Sequence, residues 1–386
     1  MTTNIGFIGL GKLGMPVAEA IGKKVTVLGY DITPKHSDVI TIVNDVGQMI
    51  KDCNIIFIAV QTPHDPEYDG SEPSSHLINK NFDYTQVADV LRSINPYLTT
   101  DKTVVLISTV LPGTVRSSLA PLITNAQFVY NPYLIAMGTV AEDFLDPEML
   151  MIGTVDGDHT DTVEYLITFY EHVTGIRPRT VVGTWEEMEC TKIFYNTFIS
   201  AKLSLVNMIQ DVSERVRHIN VDIVTDALAK STKRIMGPAY MKAGMGDGGP
   251  CHPRDNIALR WLASEIDLGY DLFDAIMSAR EMQARNIALK LVAQRLPISI
   301  LGKSFKPGVP YTDGSYSMLV GHYCTDAGAA IVYDTILTEQ AVYLLAHNID
   351  HRQLLTTMVE GSVVLDPWRN QYTTDGLTFI NYGLTR

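Results

Sequence analysis

The 386-residue chain is short of cysteine, of positive charge and of long apolar runs, and each shortage closes off a class of protein. Its four cysteines, at 53, 190, 251 and 324, stand far apart with no Cys-x-x-Cys pair. That spacing excludes a small disulfide framework and points to a reducing compartment, where a thiol stays free. Lysine and arginine number 30 against 43 aspartates and glutamates, a formal net charge of −13. So acidic a balance argues against a nucleic-acid partner, whose phosphates need a basic face. No apolar run reaches the length of a membrane span, and the N-terminus has no charged-then-apolar leader pattern. The expectation is a cytoplasmic protein with no membrane partner and no metal site. What is present is ordinary: 46% hydrophobic and 19% charged residues, in a chain long enough for two or three domains.

The first structured stretch is Asn4-Ile-Gly-Phe-Ile-Gly9, an apolar run ending in Gly9-Leu-Gly11-Lys-Leu-Gly14. A helical segment, Met15–Gly22, follows it, and then a second apolar run, Val25–Tyr30, ends at Asp31. Strand, glycine turn, helix, strand and acid in that order form the layout of a dinucleotide-binding unit. Gly9 makes the tight turn, Gly11 lets a pyrophosphate touch backbone, and Gly14 packs helix on strand. Asp31 can accept both ribose hydroxyls and would repel a 2′-phosphate, which favours NAD over NADP. The bland alternative is a glycine turn of no function. Further runs at Ile55–Val60, Thr103–Ser108, Phe128–Tyr130 and Leu150–Thr154 read as strands of an α/β doubly wound (Rossmann) domain over residues 1–180. Polar residues 64–81 read as a long loop, either a lid or an insertion.

From Trp185 to about Val216 the chain is helical, with neither proline nor glycine. Its middle, Ile193 to Val206, is apolar nearly all round, so burial on several faces is expected. A helix that long suggests a spine for a central helical domain, 181–285, and a homodimer formed through it. Lys192 and Asn196, four apart, share a face. Their structural alternatives are a helix pair with Glu189 and a satisfied buried amide. Further on, Gly244-Met-Gly246-Asp-Gly-Gly-Pro-Cys251-His-Pro-Arg-Asp255 sets a cysteine on a glycine-rich floor. Pro253 opens a helix there, so Cys251 sits at a helix N-terminus, whose partial positive charge stabilises a thiolate. The alternative is an inert buried thiol. Residues 286–386 form a second, smaller Rossmann-like α/β domain, with strands at Ile298–Leu301, Ala330–Tyr333, Val363–Leu365 and Phe379–Asn381. The basic loop Gly302–Gly308 leaves a strand end, where open α/β sheets bind ligands. Lys306 is either a phosphate contact there or a solvated charge.

The order of these pieces resembles the UDP-glucose/GDP-mannose dehydrogenase family from about Ile5 to about Asn370. They are Gly9–Gly14 with Asp31, Phe57-Ile-Ala-Val-Gln-Thr-Pro63, Ser108-Thr-Val-Leu-Pro-Gly-Thr114, Asn131-Pro132 with Gly138 and Asp143, Lys192-x-x-x-Asn196, Gly244 through Asp255, Gly302-x-x-Phe305-Lys306, and Asp366 with Arg369. The Cys251 segment is the most specific. The resemblance implies a four-electron oxidation of a nucleotide-sugar C6 alcohol to the carboxylate with two NAD, UDP-glucose to UDP-glucuronate most simply. Cys251 would be the nucleophile that makes the aldehyde tetrahedral and then carries a thioester. Lys192 and Asn196 would stabilise the developing oxyanion. Asp255 would hold the attacking water or take a proton. Thr109 would lie beside nicotinamide, with Thr62 and Lys35 also at the cofactor. Lys306, Arg369 (from a partner subunit in one version) and Arg234 would meet the diphosphate, with Phe305 beside the base and Tyr133 and Gly246 also at the substrate.

The chain departs from the family at several of these places. Asn131-Pro-Tyr133-Leu-Ile-Ala-Met137-Gly138 stands where the family reads Asn-Pro-Glu-Phe-Leu-x-Glu-Gly, so both carboxylates are absent. The first of them is the residue usually assigned to thioester hydrolysis, and a tyrosine with a pKa near 10 is a poor base. Tyr311-Thr-Asp-Gly-Ser-Tyr-Ser317 lacks the family arginine, and Asp247 replaces an aromatic. Two other readings stand beside this one: a nucleotide-sugar-binding homologue with impaired turnover, and a β-hydroxyacid-type dehydrogenase. The second needs neither the cysteine nor the C-terminal domain.

Overall fold

The computed structural model describes residues 4–63, 77–78, 80–136, 138–216, 218–237, 243–245, 251–309 and 312–384, apart from the side chains of 203, 204, 207, 214, 215, 251, 252, 254, 255 and 257–259. Most of the expected 64–81 loop, together with Met137, Gly246, Asp247 and Tyr311, lies outside the described residues. The chain divides into two compact units, Met1–Ala201 and Lys202–Arg386.

The first unit is built on an eight-stranded sheet. Its strands are β1 (Ile5–Ile8), β2 (Val27–Tyr30), β3 (Thr41–Ile42), β4 (Ile55–Ile58), β5 (Thr103–Leu106), β6 (Gln127–Tyr130), β7 (Leu150–Thr154) and β8 (Thr180–Thr184), in the order β3-β2-β1-β4-β5-β6-β7-β8. Neighbours are parallel except β6 and β7. β1, β4 and β5 are buried along their whole length, because helices cover both faces. That is why they read as unbroken apolar runs and not as alternating ones. The helices are α1 (Gly14–Gly22), α2 (Val46–Asp52), α3 (Thr85–Ile94), α4 (Val140–Leu145) and α5 (Asp161–Thr174). Two apolar layers flank the sheet, one centred on Phe7, Phe57, Val129 and Tyr170, the other on Ile56, Ile58, Leu106 and Tyr130. β3 and β8 are additions to the expected strands. β3 has only two residues, too few for any periodicity to show.

α6 (Trp185–Val216) has the expected bounds, and its residues fall on both sides of the division at Ala201. Its expected burial is not found. Phe194, Phe198 and Ile199 are 55%, 58% and 45% exposed, and Leu205 and Val206 are also exposed, whereas Met208 is buried with Ala263, Leu268 and Phe273. Apolar content shows that a face prefers cover; it does not say that the same chain supplies it.

In the second unit α7 (Val221–Ala229), α8 (Cys251–Glu265) and α9 (Leu272–Val292) lead to a five-stranded parallel sheet. Its strands are β9 (Ile298–Leu301), β10 (Ile331–Tyr333), β11 (Val342–Leu345), β12 (Val363–Asp366) and β13 (Thr378–Asn381), ordered β10-β9-β11-β12-β13, with α10 (Tyr316–Asp326) and α11 (Arg352–Leu355) between strands. β11, completely buried, was not among the expected strands. A short apolar run with no polar alternation cannot be told from a helix core by periodicity. Among the described residues no helix is long and apolar enough to cross a membrane.

Candidate active site

The chain turns at the end of β1 through Gly9, whose φ of +93° suits glycine, and a Cβ there would lie 2.8 Å from the Ala59 backbone. A Cβ on Gly14 would fall 1.8 Å from the Gly9 carbonyl oxygen, so the start of α1 packs on the turn itself. A Cβ on Gly11 would meet nothing within 4 Å: that glycine faces open space. Two glycines are thus fixed by the fold, and the third leaves room at a helix N-terminus for an anion. These residues fit a dinucleotide pyrophosphate.

Asp31, at the end of β2, accepts the Leu10 N–H at 2.7 Å on Oδ2, and the Thr33 N–H and hydroxyl at 2.8 and 2.7 Å on Oδ1. Burial works against its charge, but these hydrogen bonds and the half-buried Lys35 outweigh it and hold the carboxyl below its ordinary pKa. The filled Oδ1 corrects one expectation. A carboxylate has about four acceptor positions, so Asp31 can take both ribose hydroxyls only if Thr33 turns away. Next along the sheet, the Thr62 hydroxyl donates to the Thr109 carbonyl at 2.7 Å, and Ser108 donates to the Val60 carbonyl at 2.6 Å. The loops after β1, β4 and β5 therefore meet at the carboxyl edge of adjacent strands, where open α/β sheets hold ligands.

Beyond them α6 contributes Lys192. Its Nζ donates to the Tyr133 carbonyl at 2.7 Å in the loop after β6, and burial lowers its pKa. The alternative Lys192–Glu189 pair is not the arrangement found. Glu189, completely buried, accepts the N–H groups of Gly113 and Val115 at 2.6 and 2.7 Å. Asn196 is exposed, which removes its reading as a buried amide. Tyr133 also needs correction as a substrate contact. Asn131 Nδ2 donates to the Met151 carbonyl, so its Oδ1 accepts from the Tyr170 hydroxyl, whose only proton is then committed. The Tyr133 hydroxyl therefore donates to Tyr170, at 2.8 Å, and its ring lies against Phe144. Burial pushes the Tyr133 phenol well above its ordinary pKa. The residue as a whole is half-buried: its hydroxyl is held by Tyr170, and its carbonyl is the atom that meets Lys192.

In the second unit, α8 begins at Cys251 itself, two residues before Pro253. Proline is harmless in a first turn, whose N–H groups have no helical partner. The side chains of Cys251 and Asp255, like Gly246, lie outside the described residues. Burial raises the pKa of the other three thiols, Cys53 to about 12, Cys324 to about 11, and Cys190 upward. After β9, the half-buried Phe305 carries the exposed Lys306 over its ring, Nζ 5.5 Å from the centroid. Both border a cavity of about 190 Å³ together with Met245, Tyr316, His347 and Trp368. It opens between the loops after β9 and β11, where the order of this sheet reverses. No motif in the sequence points to His347 or Trp368. Three of the five N–H donors of Arg369 are engaged. Its guanidinium donates to the carbonyls of Pro367, Tyr382 and Ala243, and so ties the segment before the glycine-rich stretch to the sheet. Arg234 is exposed in the turns after α7.

The NAD binding domain of the UDP-glucose/GDP-mannose dehydrogenase family matches residues 34–174, and the central domain of the same family matches 186–282. A UDP-glucose 6-dehydrogenase of Bacillus subtilis is 27% identical over 335 residues, 82% of this chain and 70% of the relative. The UDP-glucose 6-dehydrogenase of Rickettsia prowazekii is 24% identical over 397 residues, 91% of this chain and 84% of the relative. Against a second Bacillus UDP-glucose 6-dehydrogenase the match spans 66% of the relative's length. A ternary complex of GDP-mannose dehydrogenase from Pseudomonas aeruginosa superposes with a TM-score of 0.81 at 20% identity, covering 98% of this chain and 99% of that one; it shares the fold.

Proposed function

As the chain belongs to the UDP-glucose/GDP-mannose dehydrogenase family, we propose that it oxidises the C6 alcohol of a nucleotide sugar, UDP-glucose before others, to the carboxylate. Membership makes it an NAD-dependent oxidoreductase of the nucleotide-sugar class; the particular sugar and the extent of oxidation are the proposal. The observation that carries it is Lys192, a desolvated cation brought by α6 to the loop after β6, the strand next to the one that carries the Thr109 loop. UDP-glucose is chosen because curated relatives along most of the chain bear that name.

Bound NAD would supply the hydride acceptor, held by Gly9, Gly11, Gly14 and Asp31, with Lys35, Thr62 and Thr109 beside it. Lys192, with Asn196, stabilises the alkoxide that forms as the C6 hydroxyl loses its proton. An aldehyde cannot release a second hydride until a nucleophile adds, and Cys251, at the start of α8, is assigned that role; the hydride of the thiohemiacetal would then pass to a second NAD and leave a thioester. Asp255 holds the water that hydrolyses the resulting thioester. In the second unit Phe305 and Lys306 meet the nucleotide base and diphosphate. The exposed apolar residues of α6, Phe194, Phe198 and Ile199, face a second copy of the chain in a homodimer. A second reading, in which the sugar is bound but oxidised only in part, is favoured by the inward phenol of Tyr133, which leaves no acid or base from that position.

The test counts NADH released per mole of UDP-glucose. The expected result is two, with Cys251→Ser retaining at most the first. One NADH per sugar in the parent protein selects the second reading, and none with any UDP- or GDP-sugar overturns both.

A further inference from the structure

Glu189 is a buried carboxylate for which the proposed chemistry has no use. It lies one turn before Lys192 on α6 and is completely shielded from solvent. Burial raises its pKa despite the two backbone N–H groups that oppose the shift. Its Oε2 accepts from Gly113 and its Oε1 from Val115, so both oxygens are committed to the segment that follows β5. That segment starts at Thr109, whose carbonyl is held by Thr62. It ends at Arg116, which pairs with Glu186 at 2.5 Å in the first turn of α6 and lies over the Trp185 ring. The following turn carries Lys192, fixed to the loop after β6. One face of α6 therefore sets the β5 loop and the β6 loop in register with each other.

We propose that Glu189 is a positioning residue for the reaction: it fixes loop 109–115, and with it the nicotinamide half of the cofactor, at a set place relative to Lys192. The proposal rests on the dehydrogenase reading. In a sheet ordered β3-β2-β1-β4-β5-β6, a dinucleotide crosses the switch between β1 and β4. Its adenosine half then lies on the Asp31 side and its nicotinamide half over the β4 and β5 loops, within reach of the segment that Glu189 holds. Only a carboxylate suits the position, because an amide offers one acceptor and would turn a donor toward the other buried N–H.

The test is calorimetric titration of the full chain, parent and Glu189→Gln, with NAD and with ADP, which lacks the nicotinamide half. The expected result is a loss of about tenfold in NAD affinity, equivalent to about 1.4 kcal/mol, with ADP affinity unchanged. Equal losses for both ligands, or no loss for either, overturn the proposal, since a purely structural role would not separate them. If Glu189→Gln does not fold, Glu189→Asp keeps the charge but is one methylene short; the same selective loss is expected of it, and a loss shared by ADP counts against the idea. With substrate present, kcat should fall while the KM for the sugar holds. A parent protein that oxidises no nucleotide sugar defeats the proposed function, yet the NAD and ADP titrations still decide the role of Glu189.

Discussion

The two sheets repeat one device with different outcomes. In the first, Gly9 turns the chain at +93° and Asp31, at the end of the neighbouring strand, holds the Leu10 N–H. In the second, Gly302 turns it at +116°, and Asp334, at the end of β10, holds the N–H groups of Gly302 and Lys303 at 2.6 and 3.3 Å. Past the turn the two loops diverge. α1 starts at Gly14, so the first loop delivers a helix N-terminus to its strand end. α10 does not start until Tyr316, and the intervening loop delivers Phe305 and Lys306 instead. A backbone site reads phosphate whatever is attached to it. A side-chain site, the role proposed for Phe305 and Lys306, would read the base and could change with single substitutions.

The comparison is broken most severely at the glycines. Gly14→Ala puts a methyl 1.8 Å from a backbone oxygen that cannot withdraw. Overpacking of this kind costs about 1–3 kcal/mol, and NAD binding should be lost with it. Gly302→Ala combines an unfavourable φ with a Cβ 2.7 Å from the His347 ring. It should abolish UDP binding and leave NAD binding intact. Thermal melts with each ligand check both variants. If Gly302→Ala weakens NAD as much as UDP, the two loops do not serve separate ligands.

The aspartates give a smaller, pH-dependent effect. Asp31→Asn should weaken NAD about tenfold, because hydrogen bonds to a charged acceptor are worth about 1.5–3 kcal/mol and part of that is retained by the amide. The folded pKa of Asp31 lies below its unfolded value. Its stabilising contribution is therefore complete above the ordinary aspartate pKa of about 3.9 and disappears as pH falls through the depressed folded value. The melting difference between parent and Asp31→Asn should be present at neutral pH and vanish in strong acid. A difference that persists in acid would mean that the carboxylate charge is not what holds the turn.

Much of this site is legible in the sequence. The glycine turn, Asp31 and the bounds of α6 follow from local rules: steric freedom at φ > 0, a strand that ends in an acid, and an uninterrupted helical composition. The remainder depended on which side chain meets which backbone, and no local pattern carries that. Glu189 sits at the spacing of a helix ion pair with Lys192, but two unsatisfied N–H groups in a distant loop claim it. Tyr133 occupies the place of a family carboxylate, yet Tyr170, far along the chain, draws its hydroxyl inward. β11 is a short apolar run that periodicity alone does not separate from a helix core, and unlike β1 and β9 it runs into no glycine turn that would mark its end. The exposed middle of α6 shows the same limit from outside, since what covers a face is not written in that face.

The mildest test concerns Lys306. Its ammonium is exposed and lies over the Phe305 ring, a contact of the cation–π kind. An exposed charge gains little from one partner, about 0.2–1 kcal/mol, so Lys306→Ala should weaken UDP only about two- to fivefold. Because that gain is electrostatic, it should shrink as salt rises and the screening length falls to about 3 Å at 1 M. Phe305→Ala should behave differently, losing affinity by a similar factor at every ionic strength, since stacking on a base is not screened. NAD affinity should be unaffected in both variants. Two variants with the same salt dependence would mean that the ring serves only to carry the lysine. Two variants that also weaken NAD would mean that the side-chain loop of the second sheet is not a separate ligand site.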